Sequence, residues 1–439
     1  MPKYLLPDID NLNKLAVYRQ NGGYEQAKKA LQMSPADIIN IVKTSNLKGR
    51  GGAGFPTGVK WSFMPQDYTG PKYLCVNGDE SEPGSFKDRQ ILEFNPHQLI
   101  EGTIVAAKAM GVTTSYIYIR GEYHKWVNCM QTALDEAYDA GLLGDKMKQT
   151  FGTDFKTEIY VHKGAGAYVC GEETAQMNSI EGKRAYPRNK PPFPAGAGLW
   201  GHPTTVNNAE TIATVPAIFR LGAEEFAKIG TPTQCGNMLF GVSGNINKPG
   251  VYELPTGTLM THLLYDICGG IPNNKKLKAV IPGGASMVPL RADEIENLPM
   301  DSDSLRKIGS GIGTGGIIVI DEDANLAKIC LRISHFFHHE SCGQCTPCRE
   351  GNGWMEKILK RIVAGDATSQ DIDLLYDVAS NIENRTVCAL GDACAWPIKG
   401  FINKFRDEFE KCVKPTRSFV APNTIHSKHL TQNELVYAV

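Results

Sequence analysis

The sequence predicts a multidomain α/β protein: an α/β layer with a largely parallel sheet, then a small α+β unit, then a four-helix bundle. Three observations predict it. Between residues 72 and 237 apolar strand-like runs alternate with helical periodicities, the pattern of a parallel sheet with crossover helices. From 238 to 325 the character shifts to short strands and turns. From 326 to 412 four helical patterns follow one another across short connections. The length of 439 residues agrees, being too great for one hydrophobic core.

Taken in order, residues 1–71 read as an N-terminal arm, a helix and a first glycine-rich loop. The helix is announced by an N-cap Ser34 and by Pro35 at its first position, followed by Ile38, Ile39, Ile41 and Val42. The loop runs Gly49-Arg50-Gly51-Gly52-Ala53-Gly54-Phe55 and leads to Lys60, Trp61 and Phe63. It contains Gly-x-Gly-x-x-Gly but follows a helix rather than a strand, so a standard dinucleotide fingerprint is disfavoured. The glycine density still predicts exposed main-chain N–H groups and close approach of a planar or phosphorylated ligand, with Lys60 adding positive charge. A bare surface loop would have no use for the adjacent Phe55, Trp61 and Phe63.

The α/β layer opens with a strand, Tyr73 to Val76, that runs into Asn77-Gly78-Asp79-Glu80-Ser81-Glu82. Asp79, Glu80 and Glu82 are acceptors suited to ribose or ribityl hydroxyls, to a hard cation, or simply to a solvated turn. Helices His97–Met110 and His124–Ala140 flank the strand Ser115–Arg120. The strand Glu158–His162 then enters Gly164-Ala165-Gly166-Ala167-Tyr168-Val169-Cys170-Gly171, and a helix is predicted from Glu172 to Ile180. This strand–loop–helix unit presents a helix N-terminus to a phosphate. Of the paired Glu172 and Glu173, one can cap the helix while the other receives ligand hydroxyls. Pro187 to Gly198 is a long ligand-covering loop. In the second unit, Val242 to Pro255 reads as a hairpin followed by a helix ending at Cys268. The bundle helices are expected at Ala327–His339, Arg349–Val363, Gln370–Ile382 and Cys394–Cys412. The tail, 413–439, carries Pro, Ser, Thr and Asn and reads as an extended partner-contacting or mobile segment.

Composition excludes several classes. Lys plus Arg total 46 against 47 Asp plus Glu, so no global field favours nucleic acid or anionic lipid. No apolar run approaches the roughly 18 residues of a membrane span, and Met1-Pro2-Lys3-Tyr4 carries no leader pattern. The expectation is a soluble, intracellular chain, or a peripheral part of a membrane complex. In such a compartment stable disulfides are rare, so the 12 cysteines need another account. Seven are scattered, and buried apolar packing fits most of them. Cys342, Cys345 and Cys348 form Cys-x2-Cys-x2-Cys, too close together and odd in number for disulfides, and the spacing suits three irons of a 4Fe-4S cube. Cys388 is the candidate fourth ligand and Cys394 the alternative. Zinc held by Cys3His, with His338 or His339, is the competing metal.

These stretches together resemble the NADH-binding flavoprotein subunits of respiratory complex I, the F-type subunits of bacterial NADH–quinone oxidoreductase. The resemblance covers Gly49–Trp61, Asn77–Arg89, Gly164–Gly182, Lys190–Thr211, Glu340–Gly351 and Cys388–Asp392. It implies a Rossmann-like FMN-binding domain, a ubiquitin-like β-grasp domain of the SLBB type, and a C-terminal helical bundle carrying a 4Fe-4S cluster. It further implies that Gly49, Arg50, Gly51, Lys60, Asn77, Asp79, Glu80, Tyr168, Gly171, Glu172, Glu173, Asn207 and Asn208 surround FMN. Phe55, Phe63, Glu82, Glu173, Lys190 and Phe193 would face NADH, the aromatics sandwiching its adenine, with Glu82 and Glu173 receiving nicotinamide or ribose donors. Cys342, Cys345, Cys348 and Cys388 would hold the cluster. Ser85 stands where the family usually has Thr, Ala209 where it often has Val, and Cys394 is an additional thiol.

The implied activity is NADH dehydrogenase: hydride transfer to FMN, then single electrons to the cluster and toward quinone. The implied partners are a small 2Fe-2S subunit of the E type and a large multi-cluster subunit of the G type. The implied location is cytoplasmic, peripheral on the inner face of the cell membrane. The alternatives are a diaphorase subunit of an NAD-dependent or bifurcating hydrogenase or formate dehydrogenase, and a zinc-bound β-grasp binding or assembly protein without catalysis.

Overall fold

The computed structural model describes residues 3–414; the expectation for the tail from Pro415 lies outside them. The first sheet has four parallel strands: β1 (Tyr73–Gly78), β2 (Thr114–Ile119), β3 (Glu158–Lys163) and β4 (Thr204–Asn208), in the order β3-β2-β1-β4. From β1 the chain winds outward through β2 to β3, then returns to place β4 on the other side of β1. That reversal makes a topological switch point, and open α/β sheets bind ligands outside the strand carboxyl ends there. Asn77 of β1 is in register with Asn208 of β4, so the crevice opens between these two residues.

Helices Pro96–Met110 and Ala209–Leu221 pack behind this sheet, and the former is buried almost along its whole length. Their approach needs a glycine: a Cβ on Gly102 would stand 2.1 Å from the Ile212 carbonyl oxygen. The helix Pro35–Thr44 begins at the predicted cap, with Ser34 Oγ accepting from the Asp37 N–H at 3.2 Å. The N-terminal arm is more helical than expected, with further short helices at Leu15–Gln20, Glu25–Leu31 and Thr57–Trp61. Glu253 pins the arm to the second unit, its carboxylate accepting from the main-chain N–H groups of Tyr4, Leu5 and Leu6.

The second unit is a mixed five-stranded sheet of β5 (Asn237–Gly244), β6 (Gly250–Pro255), β7 (Leu277–Ile281), β8 (Leu290–Arg291) and β9 (Gly316–Asp321), ordered β8-β7-β9-β5-β6. Its central pair, β5 and β9, is parallel and the rest antiparallel, a β-grasp arrangement. Four helices follow: Leu326–Glu340, Thr346–Ala364, Ser369–Ile382 and Leu390–Glu410. They share one core that includes Phe337, Met355, Leu359, Leu375 and Phe401. The thiol loop connects the first two helices and Cys388 precedes the fourth, so the predicted juxtaposition at one end of the bundle is present. Among the described residues no helix is long and apolar enough to cross a membrane.

Candidate functional site

The first glycine loop lies against the switch point. A Cβ on Gly51 would stand 3.0 Å from Asn208 Cβ, so only glycine lets the loop sit this close to the end of β4. Asn208 caps the helix Ala209–Leu221, its Oδ1 accepting from the Glu210 and Thr211 N–H groups. Its Nδ2 donates to Asp88 Oδ2 at 2.7 Å. Asn207 accepts from the indole N–H of the buried Trp61 and donates to Thr205 Oγ1. Asn77 Nδ2 donates to the Gly171 carbonyl at 3.0 Å, tying the acidic loop to the second glycine loop.

The three acids after β1 have three fates. Asp79 faces Gly171, on which a Cβ would lie 3.8 Å from its Oδ2; that oxygen is buried without a hydrogen-bond partner. Burial pushes the Asp79 carboxyl up to about 8, against a weaker lowering by Ser81. Glu80 differs from the expectation that it receives ligand hydroxyls. Its buried carboxylate accepts from the main-chain N–H groups of Lys87, Asp88 and Arg89, capping the helix Asp88–Phe94. Glu82 accepts from Tyr168 Oη at 2.6 Å and from the Ser286 N–H, in the second unit, at 2.7 Å. Burial raises its carboxyl, with Tyr168 and Ser286 acting in the opposite direction.

Glu172 is the member of its pair that caps: its Oε2 accepts from the Thr174 and Ala175 N–H groups at 2.8 Å. Glu173 is left to face the crevice between two lysines. Lys190 Nζ lies 2.5 Å from its Oε1 and Lys60 Nζ 3.4 Å from its Oε2. Burial opposes ionisation here, but Lys60 and Lys190 outweigh it and hold the Glu173 carboxyl below its ordinary value. Phe55, Phe63 and Phe193 are 45%, 56% and 63% exposed, values unusual for phenylalanine and suited to covering a planar ligand. Phe55 and Phe63 lie with ring centroids 6.1 Å apart.

Arg50 is on the loop but its side chain is directed into the core, Nη2 donating to the Cys235 and Asn237 carbonyls. Beneath the crevice lies a buried ionic network that sequence reasoning missed. Lys87 Nζ is 2.8 Å from Asp88 Oδ1 and 2.7 Å from Glu210 Oε2. Through Asp88 this network orients Asn208. The Asn77–Arg89 stretch contains both Lys87 and Asp88, but nothing in it says that Glu210 completes the set.

Tyr168 joins the crevice to the bundle. Its N–H donates to Glu340 Oε2 at 3.0 Å, and its ring meets Phe336 and Phe337 edge-on, with centroids 5.3 and 6.0 Å away. The thiols lie beyond. Cys388 feels the charges of Cys342, Cys348 and Glu172, and Cys348 feels those of Cys345 and Cys342. Burial first, then these neighbours, push the Cys388 thiol up to about 12, so its thiolate can persist here only beside compensating positive charge. Ser341 Oγ and Asn352 Nδ2 lie 3.2 and 3.3 Å from Cys348 Sγ. Cys394 is buried and its thiol donates to the Gly391 carbonyl at 3.0 Å. The histidines of the zinc alternative are engaged elsewhere: His338 Nδ1 pairs with Glu356 at 2.5 Å and His339 with Glu340. Among the described residues no three His, Cys, Asp or Glu side chains form a single-ion site.

Comparison with known proteins agrees with this layout. Family models match residues 42–217 as a Nuo51 FMN-binding domain, 238–319 as an SLBB domain, and 328–412 as the NADH-ubiquinone oxidoreductase-F iron-sulfur binding region. The F-type subunit of NADH-quinone oxidoreductase from Rickettsia typhi is 52% identical over 397 residues, 90% of this chain and 93% of that protein. The chain belongs to this family of F-type subunits. The Rickettsia akari member is 50% identical over 404 residues, 92% of this chain and 95% of that protein. A crystal structure of an NAD+-reducing NiFe-hydrogenase in the H2-reduced state superposes with a TM-score of 0.80 at 34% identity. It covers 88% of this chain, and this chain spans 65% of the hydrogenase chain.

The residues present fit the two groups that membership of this family implies. For FMN, the Gly51–Asn208 approach leaves a cradle that a side chain would fill, and Asp79 Oδ2 is a buried acceptor without a partner. For a 4Fe-4S cluster, the donors are soft thiols on two connections of the bundle, near enough that Cys388 feels Cys342 and Cys348, and Cys348 feels Cys345 and Cys342. Ser286 and Phe336 were not legible as site residues, since Ser286 enters from the second unit and Phe336 from the first bundle helix; Glu340, at the end of that same helix, was quoted only as the start of the thiol-loop stretch.

Proposed function

We propose that this chain is the electron-input subunit of a multi-subunit NADH–quinone oxidoreductase, oxidising NADH by hydride transfer to FMN and passing electrons singly to a 4Fe-4S cluster. The observation that carries the reading is the junction at Tyr168. There the acidic loop, the second glycine loop, a loop of the second unit and the bundle meet through Glu82, Ser286 and Glu340. When bound, FMN would supply a hydride acceptor that can release electrons one at a time, and a 4Fe-4S cluster would supply a one-electron acceptor.

The chain's own groups hold and orient. Gly49, Gly51, Asn77, Asp79 and Gly171, with the main chain at Arg50, Glu80, Asn207 and Asn208, form the cofactor cradle. Lys60 supplies positive charge toward it. Phe55, Phe63 and Phe193 cover the adenine of NADH. Glu82 and Glu173 receive its nicotinamide or ribose donors, and their charge slows or speeds departure of the more positive product NAD+. No general acid or base is needed for the hydride step. Cys342, Cys345, Cys348 and Cys388 are the cluster ligands in this reading, with Cys394 as core packing.

The partners that suit this output are a small 2Fe-2S subunit of the E type and a large multi-cluster subunit of the G type. The place that suits them is the cytoplasmic, inner face of the cell membrane. The hydrogenase superposition favours a second reading, a diaphorase feeding hydrogen chemistry; identity over 93% of the Rickettsia typhi protein favours the first. Affinity purification of the tagged chain from its native cell separates them. Co-purification with quinone-reducing membrane subunits and NADH-dependent bleaching of bound flavin supports the proposal; a hydrogenase catalytic subunit in their place, or a flavin-free protein, overturns it.

A further inference from the structure

A second cavity, of about 610 Å³, lies where all three units meet. One wall is the tip of the first glycine loop, Gly52–Gly54, and another is Gly309–Gly313, part of the glycine-rich run that leads into β9. The bundle helix Leu390–Glu410 closes the third side with Trp396, Lys399 and Lys404. The tip of the loop spans the gap: Cβ atoms on Gly52 and Gly54 would lie 4.0 Å from Gly313 and 3.9 Å from Ser302 Oγ.

The lining has a definite chemistry. Lys48, Arg306, Lys399 and Lys404 line it against a single acid, Glu383. Lys399 is paired with Glu383 at 2.5 Å and Lys404 with Glu294 at 2.9 Å. Arg306 meets only the exposed Asp303 at 3.7 Å, and Lys48 makes no ion pair among the described residues. The main-chain N–H groups of Gly52, Ala53, Gly54, Gly311 and Gly313 donate to no acceptor among the described residues. Unpaired N–H groups in glycine loops beside unspent cations make an anion-binding concavity. Ile308, Ile312 and the half-exposed indole of Trp396 add an apolar, aromatic flank. The volume falls in the range of small-molecule sites.

We propose that this cleft is a second binding site, separate from the NADH crevice, for a phosphate-bearing anion of nucleotide size. Lys48, Arg306 and the loop N–H groups receive the phosphates, and Trp396 receives the ring. The cleft borders Gly52–Gly54, directly beyond the Gly49–Gly51 segment that lies against Asn208. Its occupancy therefore biases the loop that cradles the cofactor, and the two sites are reciprocally coupled. That coupling rests on the cofactor reading above; the binding itself does not.

The test is calorimetry on the full FMN-loaded chain with ADP and with inorganic pyrophosphate, with the NADH crevice first saturated by NADH. One saturable ADP site is expected, with pyrophosphate weaker. Arg306→Ala and Lys48→Ala should each weaken ADP about tenfold, the loss of one charge-assisted hydrogen bond. Arg306 lies on the exposed face of a short helix, so its variant keeps the fold even if Lys48→Ala does not. No ADP binding to the NADH-saturated protein overturns the proposal, as does binding that Arg306→Ala leaves unchanged. Pyrophosphate binding as tightly as ADP overturns the role given to Trp396. A chain that holds no FMN but still binds ADP in this way would fail the cofactor reading and leave the cleft standing.

Discussion

Replacing Lys87 with Met removes the cation from the ionic network under the crevice while keeping its length and apolar stem. The side chains of Lys87, Asp88 and Glu210 are 2%, 6% and 0% exposed, so water cannot take over when the ammonium leaves. Three buried carboxylates, Asp88, Glu210 and Glu80, then lose their shared cation, and Arg50 is the remaining counter-charge that Glu210 feels. Breaking a buried ion pair by deleting one partner costs about 3–5 kcal/mol. That is a large fraction of the roughly 5–15 kcal/mol that holds a domain together. Burial already raises the Glu210 carboxyl with Lys87 in place, which Lys87 opposes. Without Lys87 it rises further, so the folded variant binds a proton that the unfolded chain releases. Its deficit is therefore greatest at neutral and alkaline pH and shrinks as pH falls toward the ordinary carboxylate range. Asp88 also loses its anchor, so Asn208 turns less reliably toward Gly51 and flavin is held more weakly. Urea unfolding followed by circular dichroism and by flavin fluorescence, at neutral and mildly acidic pH, reads both effects. A loss below about 1 kcal/mol, or one indifferent to pH, would refute the reasoning.

Other perturbations address the remaining parts of the site. Glu173→Gln removes the charge that Lys60 and Lys190 enclose and should weaken NADH about tenfold while flavin is retained; Glu82→Gln should alter the balance of NADH and NAD+ affinities, and unchanged titrations would sink both assignments. Cys388→Ala should yield protein with FMN but without a 4Fe-4S cluster, whereas Cys394→Ala should keep both; iron analysis and the visible spectrum decide. Glu356 is enclosed by His335, His338 and Lys360. Burial raises its carboxyl, but Lys360 and the two histidines prevail and hold it at about 2. Because the folded value lies below the unfolded one, its contribution is present above the ordinary carboxylate range and is lost as pH falls toward 2. Thermal melts of Glu356→Gln should thus show a deficit at neutral pH that closes on acidification, and a pH-independent deficit would contradict the assignment.

Much of the architecture was legible because its signals are local. Ser34 and Pro35 start their helix where the cap pattern says, and three cysteines in seven residues announce soft-metal chemistry without any tertiary knowledge. The short helices Leu15–Gln20 and Glu25–Leu31 escaped because six or seven residues carry too little periodicity to be read. The acids after β1 mark the boundary more sharply. Asp79 and Glu80 are adjacent and chemically alike, yet one turns to the crevice and the other caps a helix. What separates them is the position of the Lys87–Arg89 main chain, a fact of three dimensions. The Lys87–Asp88–Glu210 network and the Asn208–Asp88 hydrogen bond join residues more than a hundred positions apart, and no spacing rule reaches that far. The resemblance places Arg50 around FMN, but the Cys235 and Asn237 carbonyls draw its side chain inward.

The central claim is that one chain carries electrons from NADH, through flavin, to a cluster held by Cys342, Cys345, Cys348 and Cys388. Rapid mixing of the fully loaded chain with NADH under anaerobic conditions, followed together by flavin absorbance and cluster paramagnetic resonance, tests it most directly. The account predicts that the cluster becomes reduced only in protein that contains FMN, and that flavin-free protein with an intact cluster stays oxidised. Cluster reduction by NADH in the absence of flavin, or a reduced flavin beside a cluster that never takes an electron, would contradict it.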